Sequence, residues 1–250
     1  PPPASPPVYD LGMIYQRHMP REDLLAAQME MLMQNGRRST ISLHFVGILA
    51  AVAMFWAYLP FAGILLWAAA FLVLLLTRSL LMSTARVDKR VGTQPRRIYW
   101  QRIVGAGVTG AVWSSAFIYS TQFVPVTMQY VFLLLIVMIT AFSLGFSAAV
   151  REYFIIYMFA SLWPIAWWCL IHFWDEPYYL VIGLALLAFC GLLIYVCDQT
   201  YQPLRNMIAL TWEREHIARE LGELTISLRD RNRQLRDARR QLTDLANVDE

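Results

Sequence analysis

Between residues 41 and 196 the chain passes through six long apolar stretches, at residues 41–59, 61–81, 103–119, 128–150, 153–173 and 178–196. About 20 such residues in a helix cross the roughly 30 Å hydrocarbon core of a bilayer. In lipid, a helix is one of only two structures that satisfy every backbone N–H and C=O group. The pattern therefore predicts an all-α fold whose core is a bundle of six transmembrane helices. Composition agrees, since 58% of residues are hydrophobic and only 16% charged, far from the balance of a soluble domain. The breaks between stretches are short: Pro60, the pair Arg151 and Glu152, and the run Asp175, Glu176 and Pro177. Such connections predict tight antiparallel hairpins.

The cations give an orientation. Of 21 Lys and Arg residues, Arg17, Arg21, Arg37 and Arg38 precede the first stretch, and seven lie between Arg78 and Arg102. Arg151 separates the fourth and fifth stretches, and nine cations follow the sixth. All fall on one side of a six-span arrangement, the side that stays cytoplasmic under the positive-inside rule. Both termini are thus expected in the cytoplasm. The outward connections are too small for a binding domain, so a signal is expected to enter through the bundle.

Composition divides the chain further. Residues 1–20, opening with "PPPASPP", are expected to be a disordered Pro-rich leader, and no cleavable signal peptide is expected. Residues 21–38 carry Leu24, Leu25, Met29 and Leu32 and predict a cytoplasmic amphipathic helix. It lies along the membrane interface or packs on the end of the bundle. The bundle takes residues 39–198.

Inside the bundle, "GAGVTG" at residues 105–110 matches a dinucleotide fingerprint. That fingerprint requires a strand before it and a soluble βαβ unit, so small residues for close helix packing are the better reading. His44 is the clearest ionisable side chain within a span, and His172 lies at the opposite membrane face. The two cannot share one metal, and no metal site is expected. Asp, Glu, Lys and Arg are expected to be absent from the depths of the spans. That counts against a transporter, which usually lines its path with such groups. The fifth span, with Trp163, Trp167 and Trp168 around Pro164, faces a fourth span carrying Ser143 and Ser147. Together with His44 these residues form the candidate pocket for an apolar small molecule. Cys169, Cys190 and Cys197 lie in or beside apolar runs without Cys-x-x-Cys spacing and read as small core residues.

Beyond residue 198 the pattern changes. Met207, Leu210, Arg214, Ile217, Leu221, Leu224, Leu228, Arg231, Leu235, Ala238, Leu242 and Leu245 alternate spacings of three and four. This is a heptad seam, with Leu221 and Leu228 among its a positions and Ile217 and Leu224 among its d positions. A narrow apolar stripe on a charged helix is best buried against its own copy. Residues 199–247 therefore predict a parallel dimeric coiled coil. Arg214 and Arg231 occupy core positions and weaken the seam, which suits a transmitter, as does Pro203 between the last span and the coil.

The ending "LANVDE" resembles the junction at which the dimeric helix of bacterial diguanylate cyclases, the GGDEF family, enters the catalytic domain. Ala246, Asn247, Val248, Asp249 and Glu250 match the first part of that junction. The six-span bundle with its pre-helix is similar to sensor modules found ahead of such domains. The resemblance implies a parent enzyme of the bacterial cytoplasmic (inner) membrane. It would condense two GTP into cyclic di-GMP with Mg²⁺ or Mn²⁺, in a GGDEF domain of which residues 248–250 are the start. Asp249 carries over as a hinge residue. No catalytic residue, cofactor or nucleic-acid partner is expected within these 250 positions. Lipid, a second copy of the chain and an apolar ligand are the expected partners. A histidine kinase sensor would use the same bundle and coil, but His216 lacks the phosphoacceptor context. A hybrid with a following phosphodiesterase domain stays open, and a small-molecule transporter is the remaining alternative.

Overall fold

The computed structural model of the chain describes residues 21–87, 95–172 and 177–246. Among these residues there are six α-helices and no strand: α1 (Arg21–Phe55), α2 (Phe61–Val87), α3 (Pro95–Ser120), α4 (Val126–Ser147), α5 (Arg151–Ile171) and α6 (Tyr178–Ala246). The all-helical class is as expected from the apolar pattern. Five segments are long and apolar enough to cross a membrane: Phe61–Leu81, Arg96–Ser120, Val126–Ser147, Arg151–Ile171 and a segment that begins at Tyr178. The first expected span corresponds to Ser39–Phe55, an apolar stretch shorter than the other five. It stops at Phe55 because Pro60 disfavours helix at Leu59. The chain turns there through Tyr58 N–H and Leu59 N–H, both bonded to the Phe55 carbonyl at 3.0 Å.

Two boundaries differ from the sequence expectation, and at Pro203 the chain takes one of the two forms expected there, a continuous helix rather than a new start. Residues 21–38 and the first apolar stretch form one helix of 35 residues, since no proline interrupts them. The sixth stretch and the heptad segment likewise form one helix of 69 residues, with Pro203 inside it. Arg151 and Glu152, expected as a connection, form the first turn of α5. The α4–α5 link is then only three residues, closed by Val150 N–H on the Ser147 carbonyl at 3.0 Å.

Each helix buries one stripe. Residues Ile64, Ala68, Phe71 and Leu75 of α2 and Leu186, Cys190, Leu193 and Cys197 of α6 are buried at spacings of three and four, the period of one helix face. The opposite faces expose large apolar side chains, such as Leu66 at 73% and Leu134 at 61%. An apolar face of this extent is matched to lipid as its solvent, and this is the composition of a multi-pass membrane protein.

Lipid tails are as apolar as leucine, so packing and interhelical hydrogen bonds hold such a bundle rather than hydrophobic burial. The most extensive pairing is α3 with α5. At Gly110 an added Cβ would stand 2.6 Å from the Tyr157 carbonyl oxygen and 2.8 Å from Ala160 Cβ. Only glycine permits this approach. Ser114 Oγ then donates to the Ala160 carbonyl at 2.9 Å. The "GAGVTG" segment is thus a helix-packing surface. All three cysteines are free and buried, as expected of core residues.

The bundle is one compact unit, Pro20–Asn206, and the chain from Met207 belongs to a second. In the second, the described part of α6 is exposed, with Met207, Leu210, Ile217, Leu221, Leu224, Leu228 and Leu235 showing their apolar side chains.

Candidate functional site

His44 is 2% exposed. Trp113 Nε1–H on α3 donates to its Nδ1 at 3.1 Å, so that nitrogen is the acceptor and the imidazole proton of the neutral ring sits on Nε2. The rings of Phe71 and Tyr157 lie 6.0 and 5.7 Å away by centroid. Four helices thus meet on one aromatic-clad histidine. Gly47, one turn on in α1, makes room for this: its added Cβ would lie 2.5 Å from Ile139 Cδ1 and 3.0 Å from Trp113. His44 is therefore a packed hydrogen-bonding centre. Its replacement by alanine would leave Trp113 without its acceptor beside a cavity. We expect His44→Ala to cost about 2–4 kcal/mol, read as a fall of roughly 5–15 °C in melting temperature in detergent. Trp113→Phe in the same background should then add little, because the partner is already gone.

Two arginines lie inside the apolar segments near their ends, in α2 and α3. Arg78 lies inside the apolar segment Phe61–Leu81, and Arg102 inside Arg96–Ser120. Arg102 is 6% exposed. It was counted with a loop because its apolar neighbours begin at Ile103, yet α3 begins at Pro95. Arg78 Nη1 donates to Thr109 Oγ1 at 3.0 Å and to the Gly105 carbonyl at 3.4 Å. Its Nη2 donates to the Tyr153 hydroxyl, and its guanidinium lies 5.3 Å from the Tyr153 ring centroid. Arg102, Gly105 and Thr109 share one face of α3 by their spacing of three and four. That spacing, read with Arg78 at the end of the preceding stretch, is the signal in the sequence that would have found the group.

Within the expected apolar pocket, Ser147 and Trp167 lie at different levels of the α4–α5 hairpin. Thr140 Oγ1 of α4 meets Ser161 Oγ of α5 at 3.3 Å, which sets the antiparallel register of that hairpin. Ser143 and Ser147 continue away from this level towards the α4–α5 turn, whereas Trp163, Trp167 and Trp168 continue the other way. At about 1.5 Å per residue, Ser147 and Trp167 are separated by roughly 20 Å along the bundle. Both serines are buried and bond within α4, to the Thr140 and Ser143 carbonyls. Trp163 and Trp167 are exposed at 45% and 58%. Trp168 stacks on His172 at 4.4 Å and meets Tyr179 at 5.2 Å.

A cavity exists elsewhere. About 390 Å³ opens between the end of α1, the start of α2 and the last turns of α3, lined by Phe55, Leu59, Ile64, Trp67, Ser115 and Tyr119 among others. Its wall is mainly apolar, with the Ser115 hydroxyl and the rim residue Tyr119 as polar handles. Trp67 Nε1 is buried with no hydrogen-bond partner. The size and chemistry suit a small apolar molecule with one polar end.

The root of the long helix is tied to the bundle twice. Gln28 Nε2 donates to the Tyr201 hydroxyl at 3.2 Å, and Arg151 Nε approaches Asp198 Oδ1 at 2.7 Å. The ion pair is over 40% exposed on both sides, so it fixes position more than it adds stability. Pro203 follows within helix α6. Arg214 and Arg231 are exposed along the apolar seam, and Asp249 lies outside the described residues. Comparison of the chain with protein-family models, curated proteins and solved structures yields no match.

Proposed function

We propose that these residues are the membrane sensor and transmission module of a diguanylate cyclase, setting how two GGDEF domains meet and condense two GTP into cyclic di-GMP. In this reading the bundle sits in a bacterial inner membrane with both termini cytoplasmic, and Mg²⁺ or Mn²⁺ serves the catalytic domain. The observation that carries it is the seam on α6. Met207, Leu210, Ile217, Leu221, Leu224, Leu228 and Leu235 are exposed at heptad spacing on an otherwise charged segment. Such a stripe is costly in water and is covered by a second copy. Two copies leaving the same membrane face run parallel, which is the geometry that presents two identical domains to each other.

The junction sequence at residues 246–250 supplies the kind of domain. The ties at Gln28 and Arg151 supply the coupling, because they connect α1 and α5 to α6 a few residues before Pro203. An apolar molecule in the cavity at the ends of α1, α2 and α3 is the signal class this reading favours.

The test grafts the chain onto a GGDEF domain that lacks its own dimerisation helix and measures cyclic di-GMP formation. Replacing Leu221 and Leu228 by Asp should abolish synthesis. Replacing Arg214 and Arg231 by Leu should tighten the dimer and lock output at one level. Equal activity with and without the seam refutes the reading.

A further inference from the structure

We infer that Arg78 and Arg102 form a binding site for a phosphate group at one end of the bundle. The inference is independent of the cyclase reading. Arg102 is 94% buried, the complement of its 6% exposure, and its Nη2 has no hydrogen-bond partner. Arg78 lies against the same face of α3. Its Nε would stand 3.4 Å from a Cβ at Gly105, and Gly105 lies three residues, about one turn, beyond Arg102. The two cations act on each other electrostatically.

Among the described residues no acidic partner pairs with either: the ion pairs there join Arg151 to Asp198 and His216 to Glu220. The groups around Arg78 are neutral: the Thr109 and Tyr153 hydroxyls and the Gly105 carbonyl. These orient one guanidinium while leaving its charge unanswered. Two adjacent cations repel, and the buried Arg102 has lost most of its hydration while Arg78 is half-buried. A buried charge is retained when a counter-charge and hydrogen bonds answer it.

Phosphate fits this pair better than a single carboxylate. Guanidinium forks match its oxygens, and one phosphate can accept from two forks at once. Placement agrees. Arg78 lies three residues from the end of the apolar segment Phe61–Leu81, and Arg102 six residues into Arg96–Ser120. Those depths are one to two helical turns inside the apolar limit, within reach of a lipid headgroup by arginine side chains. The phosphate of an anionic lipid and a free phosphate share the required chemistry.

The experiment uses the full chain in a maltoside detergent, which carries no phosphate of its own, at constant ionic strength. Melting temperature is followed while phosphatidylglycerol or inorganic phosphate is added. Saturation at about a hundredfold over Kd should raise it by roughly 5–10 °C. A rise with phosphatidylglycerol alone supports the site with a lipid headgroup as its occupant, and a rise with both supports it with any phosphate. Arg102→Gln should weaken the response by at least about tenfold, the order expected for one charge-assisted hydrogen bond. Arg205→Gln, at an exposed cation, should leave it unchanged. If Arg102→Gln does not fold, Arg102→Lys is read in its place: it keeps the charge, loses the fork and should respond more weakly than wild type. The inference is overturned if neither additive raises the melting temperature, or if the Arg102 variant that folds responds like wild type.

Discussion

A cysteine introduced at Leu221 should form an intermolecular disulfide on mild oxidation in nearly all of the protein, while one at Glu223 should form little. Leu221 is an a position of the heptad seam and Glu223, two residues on, is a c position facing solvent. In a parallel coiled coil, identical a positions face each other across the axis, close enough for a disulfide whose Cβ atoms must approach to about 4 Å. Residues at c point away from the partner. The native cysteines do not confuse the measurement, because Cys169, Cys190 and Cys197 are all buried. Non-reducing electrophoresis in membranes reads the result without purification. An antiparallel pairing would link Leu221 to a different residue and leave the single variant monomeric. Equal linking at Glu223 would mean collision of helices without a seam, and the proposed geometry of transmission would fall.

The second large effect is expected at Gly110. Its replacement by alanine should cost about 1–3 kcal/mol, the usual range for overpacking, and valine should cost more. The reason lies in what the new Cβ meets: the Tyr157 carbonyl oxygen at 2.6 Å, Ala160 Cβ at 2.8 Å and Ser161 N at 3.0 Å. Two of these are backbone atoms and the third is fixed to it, so no side chain can swing aside. The helices must separate, and the Ser114 bond to the Ala160 carbonyl at 2.9 Å lengthens with them. Gly145→Ala is the matched control. Nothing lies within 4 Å of its added Cβ, so the higher helix propensity of alanine should leave it neutral or more stable by about 0.5–1 kcal/mol. Thermal melts of both variants in one detergent decide the matter. If Gly110→Ala melts with wild type, the α3–α5 contact is looser than these distances require.

The polar contacts differ in what removing them would do. In lipid an interhelical hydrogen bond contributes about 0.6–2 kcal/mol, so no one bond determines the bundle. Gln129 illustrates the satisfied case: its Nε2 donates to the Val124 carbonyl at 2.8 Å and its Oε1 accepts from the Tyr179 hydroxyl at 3.2 Å. Every strong group has a partner there, and the α3–α4 turn is held to the start of α6. Arg102 illustrates the opposite, a charged group whose Nη2 is left open. The contrast separates a contact that builds the fold from one that remains available to a ligand.

Much of the architecture was legible in the residues themselves. Runs of apolar side chains must be helices in lipid, because no other open structure satisfies the backbone, and proline at position 60 ends the first of them. The small residues at 105–110 were readable as packing because a glycine-rich helix segment has no strand before it. The heptad seam was legible for the same reason, since spacing alone places those side chains on one stripe. Helix ends were less legible. Charged residues such as Arg102 and Arg151 look like loop residues to a hydropathy count, yet a helix continues through them wherever the backbone has no reason to stop.

Composition and spacing determined the all-helical class, the apolar segments long enough to cross a bilayer and the amphipathic stripe of α6, because each follows from the period of one helix. The tertiary structure alone decided which side chains meet. It placed Trp113 on His44, put Ser147 and Trp167 roughly 20 Å apart along an antiparallel hairpin, and opened the cavity beside Trp67. It also set Arg78 against the face of α3 that carries Arg102. Periodicity says which face of a helix a residue occupies, but its neighbour depends on the register and rotation of a second helix, which close packing at residues such as Gly110 selects.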